Sequence, residues 1–275
     1  MKELTLRDIQ HRELVNLEFL NKICKQQGLT YFLAYGTLIG AIRHHGFIPW
    51  DDDTDVWMPR KDYMALLDYF KENSEKLKPF KICTRDNTKN YPYGIARLCD
   101  QRYKYVTTNS YERQFELGVF TDIYPLDNLG NDNNIDVIKK LSTYCSKQNV
   151  SYARYCSGVS GNMLKSVLKK LNRLSLHLIH GNNYSEIVNN NIINAINKNT
   201  SDKDKYIGVI AWDSNQFIRF NKEDFEENTL VDFEGKKFPV PRGYDTILKL
   251  TYGDYMKFPP ESERHPYHGY KIYKR

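Results

Sequence analysis

An α/β body interrupted by a helical insertion is the fold that this sequence predicts, and three patterns predict it. Helical periodicity near the N-terminus gives way to a short β-branched and aromatic run at 30–35, and helix and strand patterns then alternate. Further strand-like runs fall at 80–84, 93–99, 103–107 and 118–124. Between them and a strand-and-turn C-terminal part lies a segment of helical character, Val137 to Asn183, with eight Lys or Arg and no Asp or Glu. The chain divides accordingly into 1–130, an α/β core, 131–205, a helical basic insertion, and 206–275, which completes the core.

The first helix is expected over Thr5 to Gln27. Ile9, Leu14, Leu17, Leu20 and Cys24 form its apolar face, Thr5 and Asp8 stand in capping-box positions, and Gly28 stops it. The run Thr30 to Tyr35 (TYFLAY) reads as a buried strand ending at Gly36-Thr37, after which Leu38 to His44 has helical character. A turn-rich link leads into Asp51-Asp52-Asp53-Thr54-Asp55-Val56-Trp57-Met58, whose latter part is strand-like, and Pro59 opens a helix to about Phe70. Ser185 to Asn197 reads as a helix, YIGVIAW and LVDFEGKKFPVP as strands and turns, and Tyr244 to Tyr255 as a closing helix.

Bulk properties exclude several classes. With 275 residues, 27% charged and 40% hydrophobic, the chain is long enough to bury a substantial core. Its longest N-terminal stretch free of charge, Gln26 to Ile42, is too short and too glycine-containing for the ~20 apolar residues of a membrane span. The start MKELTLRDIQHREL mixes charges where a secretory signal shows an apolar run, so the expected location is cytoplasmic, with the inner membrane face as a further option. Cys24, Cys83, Cys99, Cys145 and Cys156 include no C-x-x-C pair and are expected as reduced, packed thiols. His177/His180 and His265/His268 share H-x-x-H spacing without a nearby Cys to complete a zinc set.

The chemistry concentrates in two places. On a strand, Asp53 and Asp55 project from one face while Thr54 points away, and two carboxylates aimed at one point repel unless a cation lies between them. Oxygen ligands of this kind suit Mg²⁺ or Mn²⁺. Asp122 lies among core-type residues in Val119-Phe120-Thr121-Asp122-Ile123-Tyr124 and needs a partner there. Read alone, DDDTD is equally an acidic turn, and Asp122 equally a structural partner of a buried Arg such as Arg97. Upstream, Gly36 and Thr37 at a strand-to-helix junction are parts of a phosphate site: close backbone approach, a hydroxyl, and free helix amides.

The block Tyr35-Gly36-Thr37-Leu38-Ile39-Gly40-Ala41-Ile42-Arg43-His44-His45-Gly46-Phe47-Ile48-Pro49-Trp50-Asp51-Asp52-Asp53-Thr54-Asp55-Val56 resembles the signature of the LicD family of phosphocholine transferases, relatives of the fukutin-type ribitol-phosphate transferases. Phe120 to Asp127, Phe233-Glu234-Gly235, Pro239-Val240-Pro241, Tyr252-Gly253-Asp254-Tyr255-Met256 and Pro259-Pro260 agree in the same order. The resemblance implies a nucleotidyltransferase-like mixed sheet core with flanking helices. It further implies that Asp53, Asp55 and Asp122 hold the catalytic metal, that Gly36 and Thr37 face donor phosphates, and that Arg43 binds phosphate or pairs within the site. Thr54 departs from the apolar residue usual between the last two Asp, and the insertion carries no matching motif.

The implied reaction moves phosphocholine from CDP-choline, or another CDP-alcohol, to a hydroxyl of a glycan or lipid-linked glycan precursor of teichoic acid or lipopolysaccharide type, releasing CMP. Related outcomes of the same fold are ribitol-phosphate transfer and nucleotidyl transfer. A quaternary ammonium calls for aromatic faces, and Trp50, Trp57, Tyr93 and Tyr252 are candidates, each also a possible core residue. Arg97 joins the expected substrate contacts. Nucleic acid is not expected, because the basic segment lacks aromatic-basic or helix-turn-helix motifs. Within the insertion Met163, Leu164, Val167, Leu168, Leu171, Leu174 and Leu178 form an apolar stripe beside Lys165, Lys169, Lys170 and Arg173. It suits either anionic headgroups or packing on the α/β body.

Overall fold

The computed structural model describes residues 1–109, 113–134, 136–143, 145, 163–165, 167, 168, 171, 175, 178, 184–201, 203–212, 218–266 and 268–275. The N-terminal helix α1 (Leu6–Gln27) is capped as its sequence requires: Thr5 and Asp8 form the capping box, and Gly28 closes the helix at φ 66°. Its apolar side, Ile9, Leu17, Leu20, Ile23 and Cys24, is buried. So is a polar row, Gln10, Glu13 and Asn16, which the apolar pattern does not reveal.

The main sheet takes β1 (Phe32–Leu33), β2 (Asp55–Pro59), β6 (Val119–Gly130), β4 (Ala96–Asp100) and β3 (Phe80–Cys83) in that order. The β2–β6 pairing is parallel and the other three are antiparallel, giving the mixed sheet. Strand β7 (Tyr206–Gly208) pairs with the far end of β6 and with β8 (Phe220–Asn221). A hairpin, β9 (Asn228–Phe233) and β10 (Lys236–Pro241), packs Phe233, Phe238 and Val240 into the main core. Strand β5 (Tyr103–Thr107) pairs with the C-terminal β11 (Tyr270–Lys274), so the chain's end returns to the body.

Two strands differ from expectation for local reasons. The strand at 30–35 shrinks to Phe32–Leu33 because Ala34 already accepts the amide of Leu38 and caps α2 (Tyr35–Ile39), which runs into a π-turn at Gly40–His44. Strand β6 continues past Tyr124 through Pro125, since β4 stops pairing at Ile123 and no partner on that side asks for the missing N–H. Pro59 caps α3 (Arg60–Glu72), and α5 (Tyr244–Tyr252) stops at Gly253, before the expected Tyr255. Cys24, Cys83, Cys99 and Cys145 are buried free thiols; Cys156 and the His177/His180 pair lie outside the described residues.

Within the insertion, residues 136–143 are helical, as is α4 (Tyr184–Asn199), and Ile138, Ile192 and Ile196 form a small core with Leu129 and Ile210. Met163, Leu164, Val167, Leu168, Leu171 and Leu178 are solvent-exposed, whereas packing on the body would bury them. Leu174, Lys169, Lys170 and Arg173 lie outside the described residues. Among the described residues no helix is long and apolar enough to cross a membrane.

One buried ion pair joins three elements. Arg60 on α3 donates to both carboxylate oxygens of Asp127 on β6, at 2.7 and 2.8 Å, and to Asn189 Oδ1 on α4 at 2.9 Å. Removing one partner strands a buried charge, which typically costs 3–5 kcal/mol. Arg60→Met should therefore lower unfolding free energy by about 3 kcal/mol or more in urea titration, and Arg60→Met/Asp127→Leu should recover part of the loss. A single variant as stable as wild type would refute this reading of the pair.

Candidate active site

Strand register builds the site. Parallel pairing sets Asp55 beside Asp122, and antiparallel pairing sets Arg97 beside Asp122, so three side chains line up across β2, β6 and β4 on one face. Asp53, expected on the strand with Asp55, lies in the loop before it. There the carbonyls of Asp51 and Asp52 are taken by side chains, Gln10 Nε2 at 2.9 Å and the Tyr270 hydroxyl, rather than by a neighbouring strand. Asp53 still reaches the same point: Asp53, Asp55 and Asp122 each offer an oxygen within 4.8 Å of the others. Thr54 faces away, its hydroxyl 2.7 Å from that of Thr121. This pairing satisfies a buried hydroxyl at the position where the family pattern has an apolar residue.

The expected Asp122–Arg97 pairing is present. Arg97 Nε donates to Asp122 Oδ1 and Nη2 donates to Oδ2 at 3.0 Å, both residues being almost fully buried. The guanidinium packs against Tyr93 at 3.8 Å and Phe120 at 4.0 Å from the ring centres. Arg97, expected to touch substrate, is thus enclosed; burial opposes its charge, but Asp122 and the neighbouring Tyr93 and Tyr91 together more than offset it and hold it charged. Tyr93 is committed to Arg97 and stacks on Trp212 at 6.0 Å.

Among the remaining carboxylates, Asp52 and Asp53 face His268, whereas Asp51, Asp55 and Glu13 have no ion-pair partner among the described residues. Burial, then the neighbouring acids, push Asp55 and Asp51 well above the usual carboxylate range. Burial and the charges of Asp122 and Asp52, opposed by His268 and Arg97, leave Asp53 at about 6. Glu13 on α1, fully buried, is pushed up by burial and then by Asp53, Asp51, Asp52 and Asp122. Among the described residues, Asp55 Oδ1 and both Glu13 oxygens are buried with no hydrogen-bond partner. An all-oxygen set with an orphaned, buried carboxylate oxygen at its centre fits a hard divalent cation.

Gly36 and Thr37 meet this cluster in a manner the sequence did not specify. Thr37 Oγ1 accepts the Asp55 amide at 2.8 Å, tying α2 to the start of β2. A side chain at Gly36 would place its Cβ 2.8 Å from Asp51 Oδ2, so only glycine leaves room for that carboxylate. Tyr35, at φ 44°, takes a left-handed conformation unusual for a bulky residue. Arg43, expected on phosphate or on Asp51 or Asp53, instead donates to the carbonyls of Tyr255 at 2.6 Å and Lys257 at 3.2 Å and lies 4.8 Å from the Phe258 ring centre. It fastens the π-turn to the C-terminal segment.

The aromatic candidates separate. Trp57 is core, packed on Tyr35, Phe220 and Phe225. Trp50 packs with His44 and Phe258. Tyr252, at the end of α5, is 45% exposed, and its phenol is raised by burial and then by Asp55, Tyr35, Asp51 and Asp53, so it stands within electrostatic reach of the cluster. Sequence reasoning missed Asp51 and Asp52, Glu13, Trp212, Tyr270 and His268 as parts of this region. His268 was singled out only for its H-x-x-H spacing, yet its Nδ1 lies 2.8 Å from Asp52 Oδ1 and its Nε2 3.5 Å from Asp53 Oδ2. The Phe233-Glu234-Gly235 block also acquires a reason. Glu234 pairs with Arg7 at 2.5 Å and accepts the Phe47 amide at 3.3 Å, against Gly46, where any Cβ would collide with it.

Comparison with known proteins agrees with this geometry. The LicD/FKTN/FKRP nucleotidyltransferase domain matches residues 28–152, which include all three converging aspartates. The chain is 32% identical over 278 residues to the lipopolysaccharide cholinephosphotransferase LicD of Haemophilus influenzae, covering 99% of each. The chain belongs to the LicD family. An uncharacterized protein of Rickettsia typhi is similar over a shorter span, 34% identical over 109 residues, 38% of this chain and 35% of that one. As a LicD-family member the chain is a phosphotransferase, and its mixed α/β sheet is the expected fold.

The electrostatics give a signed pH dependence for the metal-free protein. Asp53, raised from 3.8 to about 6, holds its proton more tightly when folded, so stability falls as pH rises from about 4 to about 6. His268 is raised from 6.5 to about 8 because its bond to Asp52 and the charge of Asp53 outweigh burial; its contribution is full below 6.5 and lost as pH rises through 8. Both act in the same direction. The metal-free Tm should fall between pH 5.5 and 8.5, and the Tm increment from Mg²⁺ should grow over that range, because the cation competes with the Asp53 proton. A Mg²⁺ increment that does not change with pH would contradict this assignment.

Proposed function

We propose that the protein transfers phosphocholine from CDP-choline to a hydroxyl of a lipopolysaccharide-type, lipid-linked glycan, releasing CMP, with Mg²⁺ or Mn²⁺ held by Asp53, Asp55 and Asp122. The observation that carries this is the convergence of those three carboxylates, with Asp55 Oδ1 orphaned, in a chain similar over its whole length to a lipopolysaccharide cholinephosphotransferase. A divalent cation bound there supplies charge neutralisation for the donor diphosphate.

The chain's own residues do the rest. Arg97 fixes the Asp122 carboxylate in orientation through two hydrogen bonds. The acceptor hydroxyl's proton passes to a carboxylate that Arg97 does not engage, Asp53 or Asp55. Thr37 keeps Asp55 in place through its amide. Of the aromatic candidates, Tyr252 is the most exposed and is the face proposed for the choline ammonium. An anionic membrane, carrying the lipid-linked acceptor, is the surface proposed for the exposed stripe containing Leu168 and Leu171.

Three measurements test this reading. With CDP-choline, Mg²⁺ and lipopolysaccharide acceptor, the wild type should release CMP, and Asp55→Asn should lower turnover at least ~100-fold while remaining folded. Pyrophosphate release would instead identify nucleotidyl transfer. Tyr252→Ala should raise the KM for CDP-choline more than it lowers kcat, and an unchanged KM would remove Tyr252 from the ammonium site. Leu168→Asp/Leu171→Asp should weaken co-sedimentation with vesicles of mixed phosphatidylcholine and phosphatidylglycerol, and undiminished binding would remove the stripe from the membrane.

A further inference from the structure

A histidine from the far end of the chain reaches the acidic loop. His268 is 216 residues from Asp52 in sequence, and it meets that residue twice: its Nδ1 lies 2.8 Å from Asp52 Oδ1, and its backbone amide donates to Asp52 Oδ2 at 3.3 Å. Two residues on, the Tyr270 hydroxyl donates to the Asp52 carbonyl. Asp52 is buried, so its carboxylate is a fixed acceptor that sets the plane of the ring. The other ring nitrogen then points outward from this anchor, and what it faces is Asp53 Oδ2, at 3.5 Å.

We infer that His268, held by Asp52, is a positioning residue for Asp53: it engages Oδ2 and turns the carboxylate so that an oxygen stays directed at Asp55 and Asp122. The arrangement is an anchored imidazole set against a metal-binding carboxylate, and removing such outer partners typically lowers metal affinity 10–100-fold. The inference rests on the proposed metal site. It also accounts for Asp53 converging with Asp55 and Asp122 although it lies outside the strand that fixes Asp55.

A different reading is that Asp52, Asp53 and His268 bind a cation of their own, since their ligand atoms also lie within 4.8 Å of one another. The geometry argues against it. Both oxygens of Asp52 already face His268, and both ring nitrogens already face carboxylates, so a cation there would displace the contacts that define the group.

Mn²⁺ titration followed by electron paramagnetic resonance separates these possibilities, using wild type, His268→Gln and Tyr270→Phe, with Tm and kcat/KM measured on each. Tyr270→Phe loosens the same segment without touching Asp53, so a merely structural role would affect both variants alike. We expect His268→Gln to bind Mn²⁺ 10–100-fold more weakly with kcat/KM reduced in parallel, and Tyr270→Phe to bind like wild type. If His268→Gln does not fold, Asp52→Asn, which leaves the ring in place, should show a smaller loss of the same kind. Wild-type affinity in both His268→Gln and Asp52→Asn would overturn the inference. So would a wild-type stoichiometry of two Mn²⁺ that falls to one in His268→Gln, which would make His268 a ligand. No Mn²⁺ binding by the wild type would instead defeat the underlying metal site.

Discussion

Like-charge repulsion in a desolvated space is the constraint on which this structure depends. Glu13 of α1, the loop residues Asp51, Asp52 and Asp53, and the strand residues Asp55 and Asp122 come together in one region, with Arg97 and His268 as their near counter-charges. Burying an ionised carboxylate is expensive unless it is paired, hydrogen-bonded or bound to a cation. The fold answers each charge differently: Arg97 neutralises Asp122, His268 engages Asp52, and Asp55 is left with an oxygen that no described residue satisfies. That uneven provision gives the site its chemistry, because it concentrates unmet negative charge at one point.

Holding such a group together requires a rigid frame, and much of the molecule serves as one. The central pairing of β2 with β6 fixes Asp55 against Asp122 to within the register of a sheet. The loop carrying Asp51 to Asp53 has no such ladder and is gripped from two sides, by Gln10 of α1 and by His268 and Tyr270 near the C-terminus. Glu234 and Arg7 pin the preceding turn, and Arg43 fastens the π-turn to the segment after α5. Residues separated by more than two hundred positions therefore meet at one cluster.

The sequence disclosed the site's centre and little of its support. The grouping of Asp53, Asp55 and Asp122 was legible only when their spacing was taken together with the motif block around them, since DDDTD alone is equally an acidic turn, and the mixed sheet followed from short aromatic and β-branched runs. Contacts between distant segments were not legible, since one chain's periodicity carries no information about which far residue fills a gap. His268 looked like half of an H-x-x-H pair, and Gln10, Glu13 and Asn16 are not part of the apolar face that marks the first helix, although all three are buried. Arg97 and Tyr93 were visible as site residues, but only the structure shows that they pack on each other rather than facing outward. Arg43 shows the reverse: a motif arginine that binds the backbone carbonyls of Tyr255 and Lys257 and the ring of His44 rather than a carboxylate of the cluster.

The central claim is that the unmet negative charge at Asp53, Asp55 and Asp122 is a divalent cation site. Anomalous diffraction from crystals grown with Mn²⁺ tests it most directly, because it locates the ion without reference to activity. The account predicts a Mn²⁺ peak bonded to oxygens of Asp53, Asp55 and Asp122. A map with no peak at those carboxylates at millimolar Mn²⁺, or a peak confined to Asp52 and His268, would contradict it.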